Sequence, residues 1–146
     1  VVYYDHGTGE IADFISFKEE EGRILISSYH CKKSLSPAPG HRLDAITDLM
    51  GQTVKSVTWA SKRRIQDSIR RRFTQNIGSH RFIRGDIDTL NNMLTPANSA
   101  SIDFEFVAVQ PGLRKTGLPD EISNLLASAN DHLVRAGFKP LRVMSS

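Results

Sequence analysis

Residues 11–32 have the sequence IADFISFKEEEGRILISSYHCK, which predicts a β-hairpin. Residues 11–17 alternate in the manner of a strand, with Ile11, Asp13 and Ile15 on one face. Residues 23–32 are rich in the β-branched and aromatic side chains that strands favour, and the polar run between the two segments supplies the turn. Since a short β-prone segment precedes this hairpin, we expect the chain to open with an antiparallel β-meander.

Helical periodicity follows the meander. Apolar residues recur at three- and four-residue steps over about 42–60, which predicts an amphipathic helix. The same spacing continues to about residue 73, either in one long helix or in a second helix after a bend near Ser61. A short helix is expected at 86–94, with Asp86 as its N-cap.

The last third of the chain alternates strand, helix and strand. Residues 102–110 and 141–144 predict strands, and the helix between them is bracketed by Pro119 at its start and Gly137 at its end. The whole order predicts an α/β fold: a mixed central sheet, opened by the antiparallel β-meander and flanked by helices.

Size and composition predict one domain over residues 1–146, cut from a longer protein because the chain begins inside a strand without Met. Its apolar runs are far shorter than the ~20 residues that cross a bilayer, so no membrane partner is expected. The single cysteine, Cys31, excludes an internal disulfide and fits the reducing cytoplasm.

Charge is concentrated in one segment. Residues 61–85 carry eight Lys or Arg against Asp67 alone, whereas acidic residues outnumber basic ones on both sides of this segment. Such a stripe is typical of a surface that binds a polyanion, and we expect residues 61–95 to form a basic helical insertion that contacts DNA. A solvated helix face, or a surface for an acidic protein partner, is the alternative. The predicted nucleic-acid contacts are Arg63, Arg64, Arg70, Arg71 and Arg72.

Polar residues of the hairpin form a candidate site. Antiparallel pairing around the turn would gather Asp13, His30 and Lys32 on one face, with Glu10 opposite residues 31–32. Glu10 is out of phase with Asp13 and joins them only if the regular strand begins after it. Two carboxylates near an ammonium suit a divalent cation and a hydrolytic water, because hard cations prefer oxygen ligands. A structural ion pair between Lys32 and one of the carboxylates is the alternative.

The motifs GEIADFI at 9–15, YHCK at 29–32 and Gly51-Gln52 on the following helix resemble the PD-(D/E)XK phosphodiesterase superfamily, which has the restriction-endonuclease-like fold. The resemblance implies that Asp13 binds metal, that Lys32 is catalytic and that Gln52 orders the site. It also implies Mg²⁺ or Mn²⁺ as cofactor and cleavage of phosphodiester bonds. We expect further domains in the parent protein, such as a helicase or an ATPase, and a homodimer is a further expectation.

One position departs from the motif: His30 stands two residues before Lys32, where an acidic residue is usual. Glu10 would then supply the missing oxygen ligand, or His30 would itself contact metal or phosphate. The sequence therefore predicts a metal-dependent deoxyribonuclease with Asp13 and Glu10 as metal ligands and with Asp13, Lys32, His30 and Gln52 as catalytic residues. The alternative is an inactive nucleic-acid-binding or protein-interaction module.

Overall fold

The fold is described from a computed structural model, which places residues 1–7, 9–33, 42–95 and 100–145. Within these ranges the strands are β1 (Val2–His6), β2 (Phe14–Glu20), β3 (Arg23–Cys31), β4 (Ser79–Arg84), β5 (Ser101–Val109) and β6 (Arg142–Met144). The helices are α1 (Leu43–Lys55), α2 (Lys62–Gln75), α3 (Ile87–Met93) and α4 (Asp120–Arg135), and a 3₁₀ turn (Ser56–Trp59) follows α1. No helix among these residues is long and apolar enough to cross a bilayer.

The strands form one mixed sheet in the order β4-β1-β2-β3-β5-β6. The first three strands pair antiparallel as the predicted meander, while β5 and β6 are added in parallel. A parallel pair needs a crossover connection, and the helices supply it. The predicted α/β class with a mixed, helix-flanked sheet is confirmed.

The helices pack on one face of the sheet. Directly paired residues of neighbouring strands point to the same face, and the register gives this face Tyr3, Ile15, Ile26 and Ala108. Buried residues of α2 and α3 join the cluster around Tyr3 and Ile15, whereas those of α1 and α4 join the cluster around Ala108. Burying this face supplies most of the hydrophobic stabilisation.

The basic segment is not wholly helical, and this corrects the prediction for residues 61–95. Its periodicity belongs to a second helix, α2, whose N-cap Ser61 accepts a hydrogen bond from the Arg64 amide. The segment then forms β4, which pairs antiparallel with β1 at the edge of the sheet. Gly78 begins this return, with φ of +70°, and a Cβ there would lie 2.9 Å from the His6 carbonyl oxygen. The segment is therefore part of the sheet and its core.

Strand β2 also starts later than the alternation predicts, at Phe14 instead of residue 11. Of the preceding residues, Asp13 still pairs through its backbone, since its carbonyl accepts from the Asp5 amide (3.0 Å), whereas Ile11 is held by side chains. The Ile11 amide donates to Asp5 Oδ2 (3.0 Å), and the Ile11 carbonyl accepts from Ser56 Oγ (3.1 Å). This departure from regular pairing places the polar residues of the candidate site.

Candidate metal centre

A tight turn after β1 returns the chain on itself. Gly7 and Gly9 take φ values of +120° and +75°, which residues other than glycine rarely adopt. The turn is closed by hydrogen bonds in both directions, because the Gly7 amide donates to Glu10 Oε2 (2.8 Å) and the Glu10 amide donates to the Gly7 carbonyl (3.0 Å). The Glu10 carboxylate is thereby fixed close to the end of β1.

His6, Glu10 and Asp13 converge at this turn. His6 Nδ1 lies 3.3 Å from Glu10 Oε2 and 3.6 Å from Asp13 Oδ1, and ligand atoms from all three residues lie within 4.8 Å of one another. The other Asp13 oxygen, Oδ2, accepts from the Cys31 amide at 2.7 Å, which ties the cluster to β3. The His6 side chain is 59% exposed, so the cluster is open to solvent on one side.

The donor set fits a divalent cation. Two carboxylates and one imidazole can each offer a ligand atom to a shared ion, and both carboxylates are already oriented by backbone hydrogen bonds. Mg²⁺ prefers a shell of oxygen atoms, whereas Mn²⁺ and Zn²⁺ also accept imidazole nitrogen. The mixed set therefore suits Mn²⁺ better than Mg²⁺.

A pocket of about 210 Å³ adjoins the cluster and brings together three of the predicted site residues, Glu10, His30 and Gln52. Lys55 and Ser56, at the end of α1 and the start of the 3₁₀ turn, also line it. Because Glu10 belongs to both the cluster and this pocket, a phosphate bound in the pocket would lie beside the candidate metal ligands.

His30 is a neutral side chain in this setting. It is 2% exposed, and burial lowers the pKa of its imidazole to about 4 despite the opposing effect of Asp13. Its Nε2 contacts Ser56 Oγ, which also lies within hydrogen-bond distance of the carbonyls of Ile11 and Gln52. Because the hydroxyl has a single proton, Nε2 donates to Ser56 when that proton goes to a carbonyl and accepts from Ser56 when it does not. His30 consequently orders the pocket wall and does not attract phosphate as a cation.

Lys32 lies on the strand that anchors Asp13, but its ammonium is paired elsewhere. Lys32 Nζ is 3.0 Å from Asp48 Oδ2 on α1, and no contact within the described ranges joins it to Glu10 or Asp13. The structure therefore brings the two predicted carboxylates, Glu10 and Asp13, together, but it does not bring Lys32 to them. The Asp48 side chain is 65% exposed and that of Lys32 is 33% exposed. Exposed ion pairs contribute only about 0–1 kcal/mol to stability, so Lys32 can leave Asp48 for another partner at little cost in free energy.

The predicted DNA-binding arginines separate into three groups. Arg72 is 2% exposed and its Nε lies 3.0 Å from the buried Asp5 Oδ1, so its assignment to a nucleic-acid surface is wrong. Arg63 and Arg70 are exposed but contact neighbouring polar side chains, the former Asp67 and the latter Asn91. The third group, Arg64 and Arg71, is exposed on a different side of α2, beside Trp59.

Sequence reasoning missed His6 and Lys55. The signal for His6 was the pair of glycines after it, since a turn there brings residue 10 back to residue 6. For Lys55 the signal was its place three residues after Gln52, which puts both side chains on one side of α1. Strand pairing within the hairpin points to neither residue, because His6 lies on β1 and Lys55 on α1.

Comparison of the chain with protein-family models, with curated proteins and with solved structures finds no match. The resemblance to the PD-(D/E)XK superfamily therefore stays a prediction from sequence motifs. The features that bear on function are the geometry of His6, Glu10 and Asp13 and the pocket beside them.

Proposed function

We propose that this domain is a metal-dependent nuclease that hydrolyses phosphodiester bonds in DNA, a divergent relative of the PD-(D/E)XK enzymes. The observation that supports it most is the convergence of His6, Glu10 and Asp13, with ligand atoms within 4.8 Å of one another. A structural ion pair would not need three such groups at a solvent-open turn fixed by two glycines.

Different residues would bind the metal ion, bind the phosphate and stabilise the transition state. His6, Glu10 and Asp13 would hold the ion, which when bound supplies Lewis acidity and a more acidic water. Lys55, beside Glu10 in the pocket, would bind a phosphate oxygen, with Gln52 as a neutral hydrogen-bonding partner. Lys32 would leave Asp48 on substrate binding and stabilise the charge that develops in the transition state.

Other reaction types are less well supported by the same region. Burial, together with the charge of Asp13, raises the pKa of the Cys31 thiol to about 11, so that thiol is protonated at neutral pH and is a poor nucleophile. A free cysteine in this state agrees with a reducing compartment, and we place the domain in the cytoplasm. Its partners would be DNA and further domains of the parent protein, for example a helicase or an ATPase.

The proposal is tested by measuring DNA cleavage with Mn²⁺, with Mg²⁺ and with EDTA. We expect cleavage with Mn²⁺ that exceeds cleavage with Mg²⁺, none with EDTA, and none in the Glu10→Gln and Asp13→Asn variants. Glu19→Gln is the matched control, because Glu19 is an exposed carboxylate on β2 outside the cluster. DNA binding without cleavage under every metal condition would overturn the nuclease proposal in favour of an inactive binding module.

A further inference from the structure

Trp59 separates two pockets on the surface of the domain. One is the pocket of about 210 Å³ that Glu10, Gln52 and Lys55 line. The other has a volume of about 280 Å³ and is lined by Trp59 together with Arg64, Asp67, Ser68 and Arg71 of α2. Because Trp59 lines both pockets, they adjoin at its side chain. We call the two pockets together the groove; one of its ends lies beside the candidate metal centre and the other at α2.

The charges along this groove have the sign needed for a phosphodiester backbone. Arg64 and Arg71 are seven residues apart on α2, which puts both side chains on the side of the helix that faces Trp59. The Arg64 guanidinium donates to the Thr58 carbonyl at 2.8 Å, which holds it against the 3₁₀ turn and leaves its other N–H groups for a ligand. Asp67 is the acidic residue in the lining of the α2 pocket, and its Oδ2 lies 3.6 Å from Nε of Arg63.

The position of Trp59 favours a single strand over a duplex. Trp59 is half-buried: it packs against the core cluster around Tyr3 and Ile15, and it also lines both pockets. An indole in this position can stack on a base only if that base is unpaired, since the bases of a duplex already stack on each other.

From these observations we propose that the groove binds single-stranded DNA, with a base stacked on Trp59 and the neighbouring phosphates on Arg64 and Arg71, so that the strand runs toward His6, Glu10 and Asp13. This inference rests on the proposed function for its choice of substrate, but it concerns binding and needs no cleavage. It also divides α2 functionally, because Arg63 and Arg70 lie on its other side, beside α3.

Trp59 is the single tryptophan of the chain, so its fluorescence reports directly on the groove. We titrate the protein with oligothymidylate at low salt in EDTA, which prevents metal-dependent cleavage. The expected result is saturable quenching of Trp59 fluorescence. Binding followed by the anisotropy of a labelled oligothymidylate should weaken about tenfold in Trp59→Leu and remain within about threefold in Trp59→Phe, because phenylalanine still stacks.

The contribution of the two arginines is measured against a charge-matched control. Replacing both Arg64 and Arg71 by Ala should weaken binding at least about tenfold and make the slope of log affinity against log salt shallower by about 1.4, the value for two phosphates of a single strand. Replacing both Lys62 and Arg70 by Ala removes the same charge from the other side of the same helix, leaves the Arg63–Asp67 pair intact, and should change affinity by less than about threefold.

Two results would overturn the inference: binding with no change in Trp59 fluorescence, or equal losses in the two double variants. Circular dichroism of Trp59→Leu shows whether that variant folds, and the quenching of the unmodified protein remains decisive if it does not. Cleavage without quenching would leave the nuclease proposal standing and remove this one, whereas quenching without cleavage would do the reverse.

Discussion

His6 and His30 lie on either side of Glu10 and differ in chemistry because their surroundings differ. The His6 side chain is 59% exposed next to two carboxylates, an arrangement that can bind a cation. His30 is 2% exposed, contacts the Ser56 hydroxyl and has a buried Nδ1 without a hydrogen-bond partner among the described residues. A cationic His30 would be costly there, and its neutral form links β3 to the end of α1.

The burial of His30 predicts that stability falls in acid. Its pKa is about 4 in the folded protein and about 6.5 in an unfolded chain, so between these values the unfolded state binds more protons. The free energy of unfolding should fall by about 1.4 kcal/mol per pH unit as pH drops from 6.5 toward 4, and this contribution should be constant above 6.5. Urea unfolding at about pH 7 and about pH 5 measures it.

His30→Gln is the matched variant, because a glutamine amide can reach Ser56 and does not titrate. The wild type should lose roughly 2 kcal/mol more than this variant between the two pH values. Equal losses in both proteins would show that His30 titrates normally, and would contradict the neutral imidazole that the geometry implies.

Lys32 provides a second prediction for a single side chain. Since its pairing with Asp48 is solvent-exposed, breaking that pair should cost little, and the lysine is free to act elsewhere. Lys32→Ala should reduce Mn²⁺-dependent cleavage by about 10²–10³-fold while leaving Mn²⁺ affinity unchanged, because the lysine is not a metal ligand. Asp48→Ala should not reduce cleavage. If both variants lose cleavage equally, the ion pair itself is what cleavage requires, and Lys32 has only a structural role.

At the level of elements, α2 is attached to the sheet by a buried charge pair. Arg72 and Asp5 are 2% and 0% exposed, with Nε and Oδ1 3.0 Å apart, and the second Asp5 oxygen accepts from the Ile11 amide. Burial raises the pKa of the Asp5 carboxyl, although the Ile11 amide and the Arg72 guanidinium oppose this effect. The pair connects α2, β1 and the turn that carries the candidate metal ligands.

Removing one partner of this pair should therefore destabilise the whole domain. Arg72→Met would leave the Asp5 charge buried and uncompensated, and we expect a loss of about 3–5 kcal/mol in the free energy of unfolding. Arg71→Met is the control on the next residue, exposed on the same helix, and should change stability by no more than about 0.5 kcal/mol. Urea unfolding of both variants at neutral pH measures the difference. Similar small losses would mean that water reaches the Asp5 carboxylate.

The same elements show where sequence reasoning succeeds and where it stops. The meander, the Asp86 N-cap of α3 and the left-handed Gly137 just beyond α4 were predicted because each depends on local periodicity or on a cap. Strand β4 was missed because an edge strand with sequence SHRFIR has few apolar residues. Arg72 was predicted to bind nucleic acid like the arginines next to it, because its burial depends on Asp5, a residue distant in sequence. Among the site residues, Glu10 and Asp13 came together as predicted, whereas the direction of the Lys32 side chain depended on α1.

For the molecule as a whole, the candidate metal centre joins the end of β1, the turn that follows it and the start of β2. His6 ends β1, Glu10 lies in the turn, and Asp13 precedes β2 while accepting a hydrogen bond from the Cys31 amide of β3. A cation bound by all three ligands would hold these segments together in the folded state. An unfolded chain has no such arrangement of ligands and should bind the ion far more weakly.

Metal binding is therefore expected to raise the stability of the domain. With free Mn²⁺ at about one hundred times its dissociation constant, the free energy of unfolding should rise by about 2.7 kcal/mol, which for a chain of this length corresponds to roughly 5–11 °C in Tm. Thermal unfolding with Mn²⁺ and with EDTA measures this shift independently of catalysis. The shift should disappear in Glu10→Gln and be retained in Glu19→Gln. A shift of the same size in both variants would place the bound ion away from His6, Glu10 and Asp13, because only the first variant alters their donor set.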